Sequence, residues 1–373
     1  MNGQVVLAGA IAQLPCRGGH AWAFLQYLLG FRDLGFEVLF LDRVTEDMDT
    51  RRGSHYLKSV MDRFGLEDDY CLLGTNRDAL VGIDRATALQ RTRESLGLIN
   101  VNGFLDDEEF LAAAPRRVYL DIDPGFAQMW RELGLHDSFV GHDVFVTIAE
   151  QIGRAGCRVP TCGLNWITTR PPVVLDLWTQ ATEPGGAFTS VGSWRGPFDP
   201  VEFDGTLFGL RAHEFRKLFE LPHLTGERFE LALDIDRAEV PDLAQFDRYG
   251  WHLHNPQVAA GSPDDYWAFV RASKAELMVA KNMYVESRSG WFSDRSACYL
   301  ASGRPVVAED TGLGGLYPLG VGLLPFRTLD DAAAAVEAVA SDYPGHARAA
   351  REIAESEFAS ETVLESLLER ALQ

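Results

Sequence analysis

The chain has 373 residues, 46% of them hydrophobic and 24% charged, which is long enough for two α/β domains of about 150 to 200 residues each. With 54 acidic against 34 basic residues its net charge is −20. That balance argues against nucleic acid or an anionic membrane surface as partner, since both reward basic patches. A nucleotide, held by a few local groups, remains allowed. The five cysteines (Cys16, Cys71, Cys157, Cys162, Cys298) show neither zinc-site spacing nor a disulfide framework, so no metal site is expected. No basic leader with a cleavage site opens the sequence, and no apolar run reaches the ~18 residues of a spanning helix. The expectation is a cytoplasmic protein.

Val5 to Ala12 is a continuous apolar run, which predicts a strand buried on both faces. Gln13 to Gly19 has turn chemistry. From His20 to Leu34, apolar residues recur at threes and fours (Trp22, Leu25, Leu28, Leu29), a helix that Gly35 ends. Phe36 to Leu41 completes a βαβ unit. No G-x-G-x-x-G is present, which weighs against a nicotinamide enzyme. Arg43 to Val81 reads as a helix (Tyr56 to Phe64) within loops, and Thr87 to Leu98 as a further helix. Strands are predicted over Leu98–Val101, Val118–Asp121 and Val144–Ala149. Carboxylates stand just past the last two, Asp121 and Asp123 after one and Glu150 after the other. Their position makes them candidates for the acceptor side, with capping of the next helix as the ordinary role of Asp123. Residues 156–187, with Pro160, Pro171, Pro172 and Pro184, read as a linker whose boundary falls near Glu183.

The second half opens with a strand over Ala187–Val191, followed by the turn Gly192, Ser193, Trp194, Arg195. Helices are predicted at His213–Phe219 and Tyr266–Ser273, and strands at Arg228–Ala232, Trp251–Leu253 and Ala275–Val279. Two cations, Lys281 and Arg288, precede Ser293, a good N-cap, and Asp294, an acidic residue suited to the positive end of a helix. The helix Asp294–Ser302 stops at Gly303. A short strand, Pro305–Ala308, then ends in the polar group Glu309, Asp310, Thr311 and Gly312. This order sets a helix N-terminus, with free N–H groups for a diphosphate, beside acidic side chains beyond a strand's carboxyl end that accept hydrogen bonds from sugar hydroxyls. An ordinary αβ unit with a capped helix would look the same. Three helices close the chain, over Leu329–Ala340, Pro344–Phe358 and Glu361–Leu372.

The run Gly303, Pro305, Val306, Val307, Ala308, Asp310, Gly312 resembles the donor-sugar segment of GT-B-fold glycosyltransferases. Gly35, Phe36, Glu37, Val38 are similar to the G-H-E-V that ends the first helix of that family, with Phe36 in place of histidine. The resemblance implies an α/β GT-B architecture of two Rossmann-like domains facing across a cleft. Residues 1–183 would bind acceptor, 184–345 would bind a UDP- or TDP-sugar, and 346–373 would pack back toward the first domain. It implies metal-independent transfer of a sugar to a small, natural-product-like acceptor, with the nucleotide-sugar as co-substrate, no other cofactor, and the oligomeric state open. Gly192, Ser193, Arg195, Lys281, Arg288, Ser293, Asp294, Arg295, Glu309, Asp310, Thr311 and Gly312 would line the donor. Gly18, Gly19, Trp22, Asp123 and Glu150 would lie on the acceptor side.

His20 stands where inverting relatives place the base that takes the acceptor proton, with Asp121 as its orienting carboxylate. Retaining relatives place a plain Gly-Gly there, and Gly18, Gly19 and His20 fit both patterns. The two glutamates of retaining relatives fall here on Gly290 and Cys298, which favours inversion. A UDP-sugar 2-epimerase of the same architecture and a catalytically silent nucleotide-binding partner are the alternatives.

Overall fold

The computed structural model describes residues 3–180 and 185–372, so the boundary expected near Glu183 lies partly outside the described residues. The first sheet contains β1 (Gln4–Ala8), β2 (Glu37–Arg43), β3 (Tyr70–Leu73), β4 (Ala79–Gly82), β5 (Gly97–Val101), β6 (Arg117–Asp121), β7 (Val144–Thr147) and β8 (Trp166–Thr168). Their spatial order is β4-β3-β2-β1-β5-β6-β7-β8, parallel throughout except for the antiparallel β3–β4 pair. The second half begins with β9 (Phe188–Ser193) and an antiparallel pair, β10 (Val201–Phe203) and β11 (Thr206–Phe208). Next come β12 (Phe229–Asp234), β13 (His252–His254), β14 (Ala275–Met278), β15 (Val306–Glu309) and β16 (Leu323–Phe326). These join β9 in a parallel sheet of order β13-β12-β9-β14-β15-β16.

In each sheet the chain moves outward one way and then returns to continue on the other side. The reversal falls between β1 and β5 in the first sheet and between β9 and β14 in the second, and ligands of open α/β sheets bind beyond the carboxyl ends at such points. Parallel strands covered on both faces need continuous apolar runs. β1, β5, β14 and β15 are buried at every residue, as that requires.

The first strand is shorter than its apolar run. It stops at Ala8, and Ala10 to Ala12 form a buried turn in which the Ala12 N–H donates to the Asp42 carboxylate at 2.6 Å. β3 and β4 lie in the stretch read as loops, where short strands among charged residues give little periodicity. The stretch 156–187 is more than a linker, since it supplies β8 to the first sheet and the fully buried Trp178.

The Gly18–Asp33 helix is buried almost all round. It lies between the first sheet, the Pro263–Ala272 helix and the Ser360–Leu367 helix, and Trp22, Trp178, Tyr266, Phe292, Phe358 and Leu364 join one core drawn from both halves. Close approach dictates its glycines. A Cβ on Gly18 would lie 2.0 Å from the Ser262 carbonyl oxygen, and one on Gly30 would lie 2.5 Å from Leu364 Cδ1. Two backbone bonds tie the chain's end to its middle, Val173 N–H to Phe358 O at 2.7 Å and Ser360 N–H to Val173 O at 2.9 Å. Because the Ser262 contact is backbone, it has no side chain to swing away. Gly18→Ala is therefore expected to lower stability by about 1 to 3 kcal/mol, an overpacking cost, measured by urea unfolding.

Candidate functional site

The carboxyl ends of β9 and β14 frame an unusual group of charges. Gly192 is the next-to-last residue of β9, and the Arg211 guanidinium occupies the place its side chain would take, since a Cβ there would sit 1.8 Å from Arg211 Nη1. Beside it, Arg295 Nη1 donates to the Val191 carbonyl at 2.9 Å, and its Nε pairs with the fully buried Glu276 carboxylate. Among the described residues, Arg211 Nε and Arg295 Nη2 are buried without a hydrogen-bond partner. Burial, and next the charge of Arg295, pull the Arg211 pKa down to about 10. Lys281, just past β14, donates to Asp123, which also accepts from the Tyr284 hydroxyl. Three cations thus share two carboxylates. An unsatisfied buried donor costs about 1 to 3 kcal/mol, more when charged, and an anion would remove that cost at both guanidiniums.

The residues expected on the donor side are found in different states. Ser293 caps the Asp294–Ala301 helix, accepting from Arg295 N–H at 3.2 Å. Asp294 lines a small cavity with Trp22, Tyr27 and Cys298, where burial holds its carboxyl above the usual range. Arg288 is exposed and ends the Asn282–Ser287 helix in a left-handed conformation (φ +49°). Arg195 is half-exposed and paired with Glu239. Glu309 is buried, accepts from Ala280 N–H at 2.9 Å and faces Glu214, and burial raises its pKa well above the ordinary value. Its carboxyl therefore holds the end of β14 instead of facing a sugar. Asp310 accepts from the N–H groups of Gly312 and Leu313, both at 2.9 Å, and pairs with Arg327. The Thr311 hydroxyl donates to Trp291 O at 2.6 Å. Gly290, at φ +73°, has Gln151 Cγ 2.7 Å from where a Cβ would be, so a glutamate would be strained and crowded there.

On the facing edge, His20 Nε2 donates to the Ala10 carbonyl at 3.1 Å, and the ring packs edge-on against Phe24 and Phe104. That bond fixes the tautomer and leaves the Nδ1 lone pair open. Burial lowers the His20 pKa to about 4. The expected orienting carboxylate is elsewhere. Asp121 is buried, accepts from Gln128 Nε2 at 2.6 Å and Thr147 Oγ1 at 2.9 Å, and burial lifts its pKa to about 7. The backbone orients His20 in its place. Asp123 does not cap the Phe126–Glu132 helix. Gly125 is the cap residue, and its N–H donates to Gln128 Oε1 at 2.8 Å, because Asp123 is drawn off to Lys281 and Tyr284. Glu150 is held by Arg170 at 3.0 Å and by the Tyr317 hydroxyl. Trp22 Nε1 donates to Pro263 O at 2.9 Å, and Gly19 lies under the Tyr266 ring, so both serve the contact between the halves.

Arg17, in the loop after β1, reaches across to Ser193 Oγ at 3.3 Å and Asp234 at 2.8 Å, so the two reversal points face each other. Arg211 is not marked by the sequence. It sits in an ordinary charged helix start, and nothing in its spacing announces that its head group lies against Gly192.

Between pH 6.5 and about 4 the unfolded chain carries a proton on His20 that the folded protein lacks, so His20 lowers stability as pH falls through that window. His20→Phe is expected to flatten the fall in Tm over pH 6.5 to 4, by an amount worth about 2 to 3 kcal/mol at the acid end. A constant offset from losing the Ala10 bond would leave that difference in slope intact.

No family model and no curated protein sequence matches the chain. Solved structures do. HepE of Anabaena in complex with UDP-glucose superposes with TM-score 0.60 at 14% identity over 99% of both chains. An alpha-glucosyltransferase in complex with UDP gives 0.59 at 12% identity over 100% of both. TarM of S. aureus gives 0.60 at 8% identity over 98% of this chain and 99% of that one. Among the described residues no helix is long and apolar enough to cross a membrane. With two largely parallel sheets meeting at their carboxyl edges, the chain has the GT-B fold of these solved structures.

Proposed function

We propose that the protein transfers a sugar from a nucleoside diphosphate sugar to a hydroxyl on a small acceptor. The observation that carries this is the pair of buried guanidiniums with unspent N–H groups at the β9/β14 reversal point. A diphosphate bridging Arg211 and Arg295 would satisfy both. As the bond from the anomeric carbon to the β-phosphate oxygen breaks, negative charge grows on the phosphate, and fixed cations there lower the barrier without a metal ion. UDP is the favoured nucleotide over TDP, because HepE and the alpha-glucosyltransferase are solved with UDP-glucose and UDP. In this reading residues 1–183 hold the acceptor and 184–345 the donor.

The acceptor hydroxyl oxygen forms the new bond to the anomeric carbon, and its proton passes to His20 Nδ1. A base of pKa about 4 is neutral and free to accept near pH 7, but it is weak, so it takes the proton only as the new bond forms. Attack from the face opposite the leaving phosphate gives inversion. The anomeric coupling of product made from an α-linked UDP-sugar tests this, and a β-product is expected.

Calorimetric titration with UDP tests the site itself. Arg211→Met keeps the packing and removes the charge, and should weaken UDP binding by about 10- to 100-fold, the worth of one or two charge-assisted hydrogen bonds. Arg195→Ala should bind as tightly as wild type. Equal affinity of Arg211→Met and wild type would remove the phosphate site from this edge.

A further inference from the structure

A second cavity lies beyond the carboxyl ends of β2 and β3, away from the charge group between β9 and β14. Its volume is about 240 Å³, and Arg43, Thr45, Glu46, Thr75, Arg77 and Asp106 supply its polar walls. We propose that it is the seat of the acceptor and that the acceptor is an uncharged polyhydroxylated compound of about one sugar ring. This rests on the transferase reading above and names the chemistry of its acceptor side.

Three observations carry the assignment. The first is size, because the cavity is smaller than the ~300 to 1,000 Å³ typical of sites for drug-sized ligands, so a large natural product does not fit. The second is wall chemistry. Arg43 and Arg77 are set against Glu46, Asp106 and the buried Asp107, with Val44 and Leu73 as the apolar contribution. An anion would meet the carboxylates, a cation would meet the guanidiniums, and a flat aromatic ring would find few apolar atoms to cover it. A neutral polyol offers donors and acceptors to both kinds of group.

The third observation is that part of the wall, Arg43, Asp106 and Asp107, is held in place before any ligand arrives. Arg43 Nε donates to Phe104 O at 3.0 Å, and its Nη1 lies 3.0 Å from Asp106. Arg85 clamps Asp107 through two bonds of 2.8 and 3.0 Å and also donates to the Arg77 carbonyl at 3.0 Å. Arg77 itself is held at φ +66°, a conformation non-glycine residues rarely adopt. Contacts also link the cavity wall to His20. Phe104, whose carbonyl fixes Arg43, packs its ring edge-on to His20 with centroids 6.5 Å apart. Asp42 accepts from the backbone N–H of both Arg43 and Ala12, joining the cavity wall to the turn that carries Ala10.

The test is ligand-observed saturation-transfer NMR on the full chain, with and without saturating UDP. The probes are methyl α-D-glucopyranoside, methyl α-D-galactopyranoside and glycerol, with 4-methylumbelliferone as the aromatic comparison. At least one polyol should give a saturable signal that Thr75→Trp, an exposed wall position filled by the larger ring, and Asp106→Asn each weaken tenfold or more. UDP affinity should change less than twofold in both variants. No polyol signal in wild type, a signal undiminished in Thr75→Trp, or binding of the aromatic probe alone would overturn the assignment. Polyol binding that Thr75→Trp abolishes, in a protein that shows no UDP binding, would keep the pocket and sink the donor reading.

Discussion

Two guanidiniums share one small space at the end of β9, and the arrangement around them follows from that. Arg295 spends its charge on Glu276 and on the Val191 carbonyl, while Arg211 lies in the gap left by Gly192. Desolvating like charges together is among the more expensive things a fold can do. Glu276 offsets one of them, and Asp123 is already engaged by Lys281 and Tyr284. What remains is positive potential with unspent donors, placed where the chain reverses direction across its sheet. Such a place suits an anion, and the diphosphate proposed above is one that would fit.

The same cluster depends on both halves of the chain being in contact. Asp123 comes from the first sheet and Lys281 from the second. Arg17, Arg52 and Arg63 make further crossings to Asp234, Gln257 and Asp264. Exposed pairs of this kind contribute about 0 to 1 kcal/mol each, so they orient the contact and do not hold it. The hold comes from the apolar interface, in which Gly18 and Gly19 bring the first helix against Ala260–Ser262 and Tyr266, and Trp22, Trp178, Phe292 and Phe358 fill one core. Glycines in the first crossover are thus required by close approach, of backbone at Gly18 and of the Tyr266 ring at Gly19, whatever they do for a ligand.

Much of the architecture was legible in the sequence. The runs Val5–Ala8, Val118–Leu120 and Val306–Ala308 are apolar without alternation, which is what a strand covered on both faces demands. The order of strands and helices then specifies two parallel sheets. Ser293 and Asp294 announced the helix they begin. Short strands β3, β4 and β8 were not legible, because charged or proline-rich surroundings mask a period of two over three or four residues.

At the candidate site the sequence by itself determined which polar residues follow strand ends, since that depends on local order alone. Lys281 and Asp123 were visible for that reason, and Ser293 and Arg295 because they open a helix. Which of them would be free was decided by tertiary structure. Glu309 is consumed by Ala280 and Glu214, Asp121 by Gln128 and Thr147, and His20 takes its orientation from a carbonyl ten residues back in the chain and not from a distant carboxylate. Arg211 became a site residue only because folding lays it against Gly192, nineteen positions away in the chain and in contact in space. Hydrogen bonds and charge balance are settled between segments brought together by packing, and no local pattern of residues records that.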